Sequence, residues 1–129
     1  MALPFTIRWE PHGAHVEYAG DVTMAEVRTL EATLADDERL DNLHYLIIDG
    51  TVADRVDYDV ASWDEIAATS ASARFYNRSA KAAFVASDPA MRASFECFIA
   101  FWRAIPVPWE IGLFVTLAEA RAWLDGSIE

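Results

Sequence analysis

From Phe5 the chain alternates: Phe5, Ile7 and Trp9 share one face, and Thr6, Arg8 and Glu10 the other. A period of two marks a half-buried strand. Pro11-His12-Gly13 turns the chain, and Ala14 to Ala19 resumes extended character with Val16 and Tyr18 on one face. Residues 5–19 therefore predict an antiparallel hairpin, ended by Gly20-Asp21. The spacing then changes. Thr23 and Glu26 form a capping box, and Met24, Val27, Leu30 and Leu34 recur at helical spacing, predicting a helix over 24–36.

Leu43 to Asp49 is a nearly continuous apolar run, as a central strand covered on both faces requires, and Asp49-Gly50-Thr51 is expected to end it. Beyond an acidic loop, Ser62 to Glu65 is a second capping box, opening a helix rich in small residues such as Ala67, Ala68, Ala71 and Ala73. Lys81 to Ala86 is another buried-type strand. Asp88 can cap the next helix, with Pro89 at its first position. Met91, Phe95, Phe98, Trp102 and Ile105 form its apolar stripe, Cys97 and Phe101 widen it, and Pro106 and Pro108 end it. Glu110 to Val115 is the last strand. Thr116 and Glu119 make a third capping box before a closing helix that turns Leu117, Ala120 and Leu124 to the core, with Trp123 beside them. The order β-β-α-β-α-β-α-β-α predicts an α/β fold with a mostly parallel five-stranded sheet, an antiparallel edge strand and right-handed crossovers.

Composition narrows the class. The 129 residues are expected to make one domain, 1–129, large enough for its own core. Ten Lys plus Arg against 21 Asp plus Glu give a net charge of −11, and Lys81 is the sole lysine. Such a chain disfavours nucleic acid, whose binding draws on neutralised phosphates, and anionic membranes for the same reason. The acidic groups around Asp36 to Asp41 and Asp54 to Glu65 read as solvated loops and helix starts. No apolar run is long enough for a membrane span and no export signal is seen, so a cytoplasmic location is expected. Cys97, the single cysteine, rules out an internal disulfide and fits a reducing compartment.

The layout resembles the SpoIIAA-like (STAS-like) superfamily, in particular its small uncharacterised bacterial members. Gly20-Asp21-Val22-Thr23, Tyr45 to Asp49, Lys81 to Ala86 and Phe114 to Leu124 carry the resemblance along nearly the whole chain. It implies a β-α superhelix preceded by an antiparallel edge strand. Regulatory members, the anti-sigma-factor antagonists, carry Asp-Ser-Ser-Gly at the start of the second helix and are phosphorylated on the second serine. Here that stretch reads Val60-Ala61-Ser62-Trp63. The resemblance thus offers Ser62 as a candidate phosphoacceptor, while Val60 and Trp63 replace the Asp and Gly of the pattern. Ser62 also suffices as an N-cap.

Candidate chemistry is sparse. Ligands of open α/β sheets lie beyond the carboxyl ends of the strands, which gathers Asp49, Gly50, Thr51, Ser87 and Asp88, with Gly20, Asp21 and Thr116, on one rim. No Gly-rich phosphate loop or Gly-x-Ser-x-Gly elbow occurs. No catalytic residues, cofactor or metal are expected: His12 and His15 flank a turn, His44 starts a strand, and no nearby ligands converge on them by spacing. Cys97, within an aromatic helix, reads as a buried inert thiol. The richest feature is apolar excess between Phe95 and Trp109. It predicts an interface of a homodimer or higher homo-oligomer, centred on Phe98, Phe101, Trp102 and Trp109, or a pocket for an apolar small molecule beneath this helix, among Phe95, Phe98, Phe101, Trp102 and Trp109, set against the plainer reading of a helix covered by the chain's own loops. The leading expectation is a non-enzymatic regulatory or protein-interaction module acting through self-association and helix-surface contacts with a protein partner. A carrier or sensor of an apolar or amphiphilic ligand comes second, and a switch phosphorylated at Ser62 third.

Overall fold

The computed structural model describes residues 4–56, 80–104 and 109–128. Five strands, β1 (Phe5–Trp9), β2 (Gly13–Val22), β3 (Tyr45–Val56), β4 (Lys81–Val85) and β5 (Glu110–Phe114), form one sheet in the order β1-β2-β3-β4-β5. Strand β1 runs antiparallel to β2, with Phe5 opposite Tyr18 and Trp9 opposite Ala14, and every other neighbour pair is parallel. The helices are α1 (Met24–Ala35), α2 (Pro89–Arg103) and α3 (Leu117–Ile128), with a 3-10 turn at Glu38–Asn42. This is the expected α/β architecture with an antiparallel edge strand. The helix expected from Ser62 lies outside the described residues.

The helix starts form as their sequences require. Thr23 Oγ1 accepts from the Glu26 amide while the Glu26 carboxylate accepts from the Thr23 amide, so the capping box closes in both directions. Asp88 accepts from the Met91 amide at 3.0 Å, and Pro89 follows where no amide hydrogen is needed. Thr116 caps α3 through the Glu119 amide.

Two strand ends differ from the sequence reading. Strand β2 does not stop at Gly20-Asp21 but runs to Val22, and β3 does not stop at Asp49-Gly50-Thr51 but runs to Val56. Each supplies the other's partner: beyond a register shift, Ala19 pairs with Val52, Gly20 with Ala53 and Val22 with Val56. Gly20 sits at φ +64°, a conformation that favours glycine, and lets the ladder continue through an irregularity. Turn-forming residues ended neither strand because a neighbour was available to satisfy the backbone.

Alternation along β3 divides the core. Leu46 and Ile48 join the larger cluster with Val16, Phe84 and the apolar faces of α1 and α2. Tyr45 and Ile47 join Ala83, Val85, Ala120 and Leu124 on the α3 face. Gly50 lies on the α2 side, where a Cβ would meet the Phe95 ring at 2.8 Å, so the helix sits as close as a glycine permits.

Candidate functional site

The carboxyl end of the sheet has two levels. Strand β4 ends at Val85, level with Asp49 in β3, while β3 and β2 continue past it. Asp49 and Gly50 are thus buried inside a strand, not on the rim. Thr51, Ser87 and Asp88 are exposed. Asp88 is committed to capping α2, and Arg92 reaches back to donate to the Ala86 carbonyl at 2.9 Å, tying the helix start to the end of β4. The exposed large hydrophobic residues of the described chain, Val52 and Val115, lie toward this end, one beyond Thr51 and the other directly after β5.

Beneath the rim, His15 and Asp49 form a buried polar pair. Glu17 stands opposite Asp49 in the β2–β3 register, and His15, two residues before Glu17, points to the same face. His15 Nε2 and Asp49 Oδ2 are 2.9 Å apart, with the two residues only 5% and 2% exposed. The second carboxylate oxygen, Oδ1, accepts from the Thr51 amide at 2.9 Å and the Thr51 hydroxyl at 2.7 Å. Burial pushes the Asp49 carboxyl upward, but the Thr51 donors and His15 outweigh it and hold it below the ordinary aspartate range. Donor atoms of His15, Glu17 and Asp49 all lie within 4.8 Å of one another. Glu17 is half-buried and also meets Arg8 at 3.2 Å.

Sequence spacing missed this convergence. His15 reads as a turn-flanking residue and Asp49 as a strand end, and only the parallel register brings them together. Their signal was weak but present: a histidine and an aspartate, each inside an apolar-patterned strand, are polar groups that need a partner.

A second polar cluster joins the chain's ends. The Arg121 guanidinium donates to both oxygens of Glu10, at 3.1 and 2.8 Å, and the Tyr45 hydroxyl donates to the same carboxylate. Arg121, opposed by partial burial and aided by Tyr45, draws the Glu10 carboxyl from 4.5 down to about 2. At this amino end of the parallel strands lies a cleft of about 200 Å³ lined by Trp9, His12, Arg39 and Leu43 among others. Its wall is stiffened by Arg39 over the Trp9 ring, 4.0 Å from the centroid. His12 and His44 stack 5.1 Å apart.

The aromatic helix turns most of its apolar residues toward the sheet. Phe95, Phe98, Trp102 and Trp109 are 0%, 3%, 3% and 7% exposed within the single chain, and only Phe101 is half-exposed. Phe84 accounts for their burial: its ring meets Phe95, Phe98 and Trp102 edge-on at 5.3, 5.9 and 5.7 Å, and Trp109 closes on Trp102 at 6.4 Å. Of the residues proposed to centre an interface, Phe98, Trp102 and Trp109 therefore pack in a row, Phe98 on Trp102 and Trp102 on Trp109. Cys97 faces outward and is exposed, not buried, because the helix turns its Phe95, Phe98 and Trp102 stripe inward. Ser62 lies outside the described residues. No helix among the described residues is long and apolar enough to cross a membrane.

No protein-family model matches this chain, and neither does any curated protein sequence. Solved structures do. An anti-sigma factor antagonist from Mycobacterium paratuberculosis superposes with a TM-score of 0.61 at 17% identity, covering 94% of this chain and 92% of its own. The anti-sigma factor antagonist SpoIIAA in its unphosphorylated form gives 0.59 at 14% identity, covering 95% and 98%. An uncharacterised DUF3478-family protein with a SpoIIAA-like fold, from Shewanella loihica, gives 0.56 at 16% identity, covering 93% and 91%. The chain has the SpoIIAA-like (STAS-like) fold.

Proposed function

We propose that the chain is a non-enzymatic regulatory module that binds a protein partner at the carboxyl rim of its sheet, through Thr51, Val52, Ser87 and Val115. The observation that carries this is the whole-length likeness in fold to two anti-sigma factor antagonists, proteins named for acting on another protein. The exposure of Val52 and Val115, 56% and 43%, supports the placement, since exposed apolar residues beside polar ones suit a contact surface. The acidic charge, −11 overall, favours a partner whose complementary face is basic. The carrier reading draws less support, because the aromatic residues that would line an apolar pocket fill one another's space.

Native mass spectrometry of protein purified gently from its own organism tests the proposal. The expected result is a complex with a second protein that Val52→Asp dissociates while far-UV circular dichroism stays unchanged. A monomer of 14.4 kDa carrying a compound of a few hundred daltons, roughly a typical pocket ligand, would replace this reading with the carrier one. A complex indifferent to Val52→Asp and to Val115→Asp would move the contact away from the rim.

A further inference from the structure

We infer that His15, Glu17 and Asp49 form a binding site for a first-row divalent metal ion of the zinc type, built on the sheet face that carries α3. Three observations converge on it. Strand register places all three side chains on one face, with their donor atoms within 4.8 Å of one another. The 2.9 Å between His15 Nε2 and Asp49 Oδ2 is a hydrogen-bond distance, and the two atoms need to part by only about half an ångström to reach the separation of roughly 3.4 Å that two ligands adopt around a tetrahedral ion with metal–ligand bonds near 2.1 Å. Finally, the Thr51 amide and hydroxyl hold Asp49 Oδ1, which turns Oδ2 toward His15, as outer-shell donors orient a metal-bound carboxylate.

The donor set selects the class of ion. An imidazole nitrogen suits zinc, iron, nickel and copper better than calcium or magnesium, and two carboxylates neutralise a divalent charge. Three protein ligands leave room for water or for a group from another molecule. Glu17 is where the group meets solvent. His15 and Asp49 are buried, whereas Glu17 is half-buried and its present partner, Arg8, has a side chain 59% exposed. An exposed ion pair of this kind is weak, so a divalent ion can displace Arg8 from Glu17 by a modest swing of the glutamate. The alternative is that no ion binds and that His15 and Asp49 are simply hydrogen-bonded to each other.

The tag-free full chain, stripped with chelator and titrated near neutral pH with zinc chloride and, separately, cobalt chloride, decides between them. One zinc per chain is expected by calorimetry, with a rise in Tm and a visible cobalt absorption band. His15→Asn should abolish uptake. Should that variant fail to fold, two surface changes remain informative. Glu17→Gln should weaken binding at least about ten-fold, the scale at which even an outer-shell change acts, and Arg8→Ala should tighten it by removing the competitor. Absence of stoichiometric uptake, or uptake unaffected by both Glu17→Gln and Arg8→Ala, overturns the inference and leaves His15 and Asp49 as a buried hydrogen-bonded pair.

Discussion

Glu10 shows how much one side chain can carry across the fold. Its carboxylate is held by Arg121, 111 residues away, and by Tyr45, so it joins the β1–β2 turn, the start of β3 and α3. Because the folded carboxyl titrates at about 2 instead of 4.5, its contribution is complete above 4.5 and is lost as pH falls from there toward 2, where the unfolded chain takes up the proton first. Allowing for solvent screening, that contribution is about 1 kcal/mol. Urea denaturation across this window should show it, and Glu10→Gln should flatten the fall. The glycines divide by mechanism. Gly20→Ala should cost about 1 kcal/mol through backbone strain alone, since its φ is positive and nothing lies within 4 Å of an added Cβ. At Gly13 the same change drives a Cβ to 2.5 Å from the Tyr45 ring and carbonyl oxygen, so β2 must shift away from β3. A larger loss of Tm for Gly13→Ala than for Gly20→Ala is the expected order.

At the scale of elements, α2 is the most informative. Asp88 and Pro89 start it, and its aromatic stripe closes over Phe84, which is 0% exposed. Phe84→Ala should destabilise by about 3–5 kcal/mol, because it removes the ring that three aromatic neighbours surround and leaves a cavity behind. The two faces of the helix should also respond differently to charge. Trp102→Asp buries an unpaired carboxylate and is expected to abolish the near-UV dichroism of the folded chain, whereas Phe101→Asp, half-exposed, should retain it. Equal tolerance of both would mean that Trp102 is not packed against the sheet. At the start of α1, Thr23→Ala removes half of a closed capping box and should cost about 1 kcal/mol in chemical denaturation.

For the whole molecule, the sheet organises two separate kinds of chemistry. Its carboxyl rim carries Thr51, Ser87 and the exposed valines, and the polar group of His15, Glu17 and Asp49 lies below, within reach of that rim through Asp49 and Thr51. A partner engaging the rim would therefore touch the residue that orients Asp49. Net charge works at the same scale: a contact with a basic partner should lose affinity as salt rises, whereas an apolar one should hold or tighten. Measuring the complex at two ionic strengths distinguishes them.

Much of this architecture was legible locally. The period of two in β1, the helical stripe of Met24, Val27, Leu30 and Leu34, the apolar run before Asp49 and the caps at Thr23, Asp88 and Thr116 are signals that act within a few residues, and each formed as its pattern dictated. The alternation of strands and helices then required a parallel sheet. What the tertiary structure alone decided depends on neighbours far along the chain. Strand β3 reached Val56 because β2 was there to pair with it. The Phe95, Phe98, Trp102 and Trp109 cluster was absorbed because Phe84 supplied a matching surface from another strand, and Cys97 was left outside by the same rotation of the helix. His15 met Asp49, and Glu10 met Arg121, through register and chain closure, which no short-range spacing encodes. Periodicity and capping specify elements because they are local energies; a site is a meeting of side chains, and only packing fixes which ones meet.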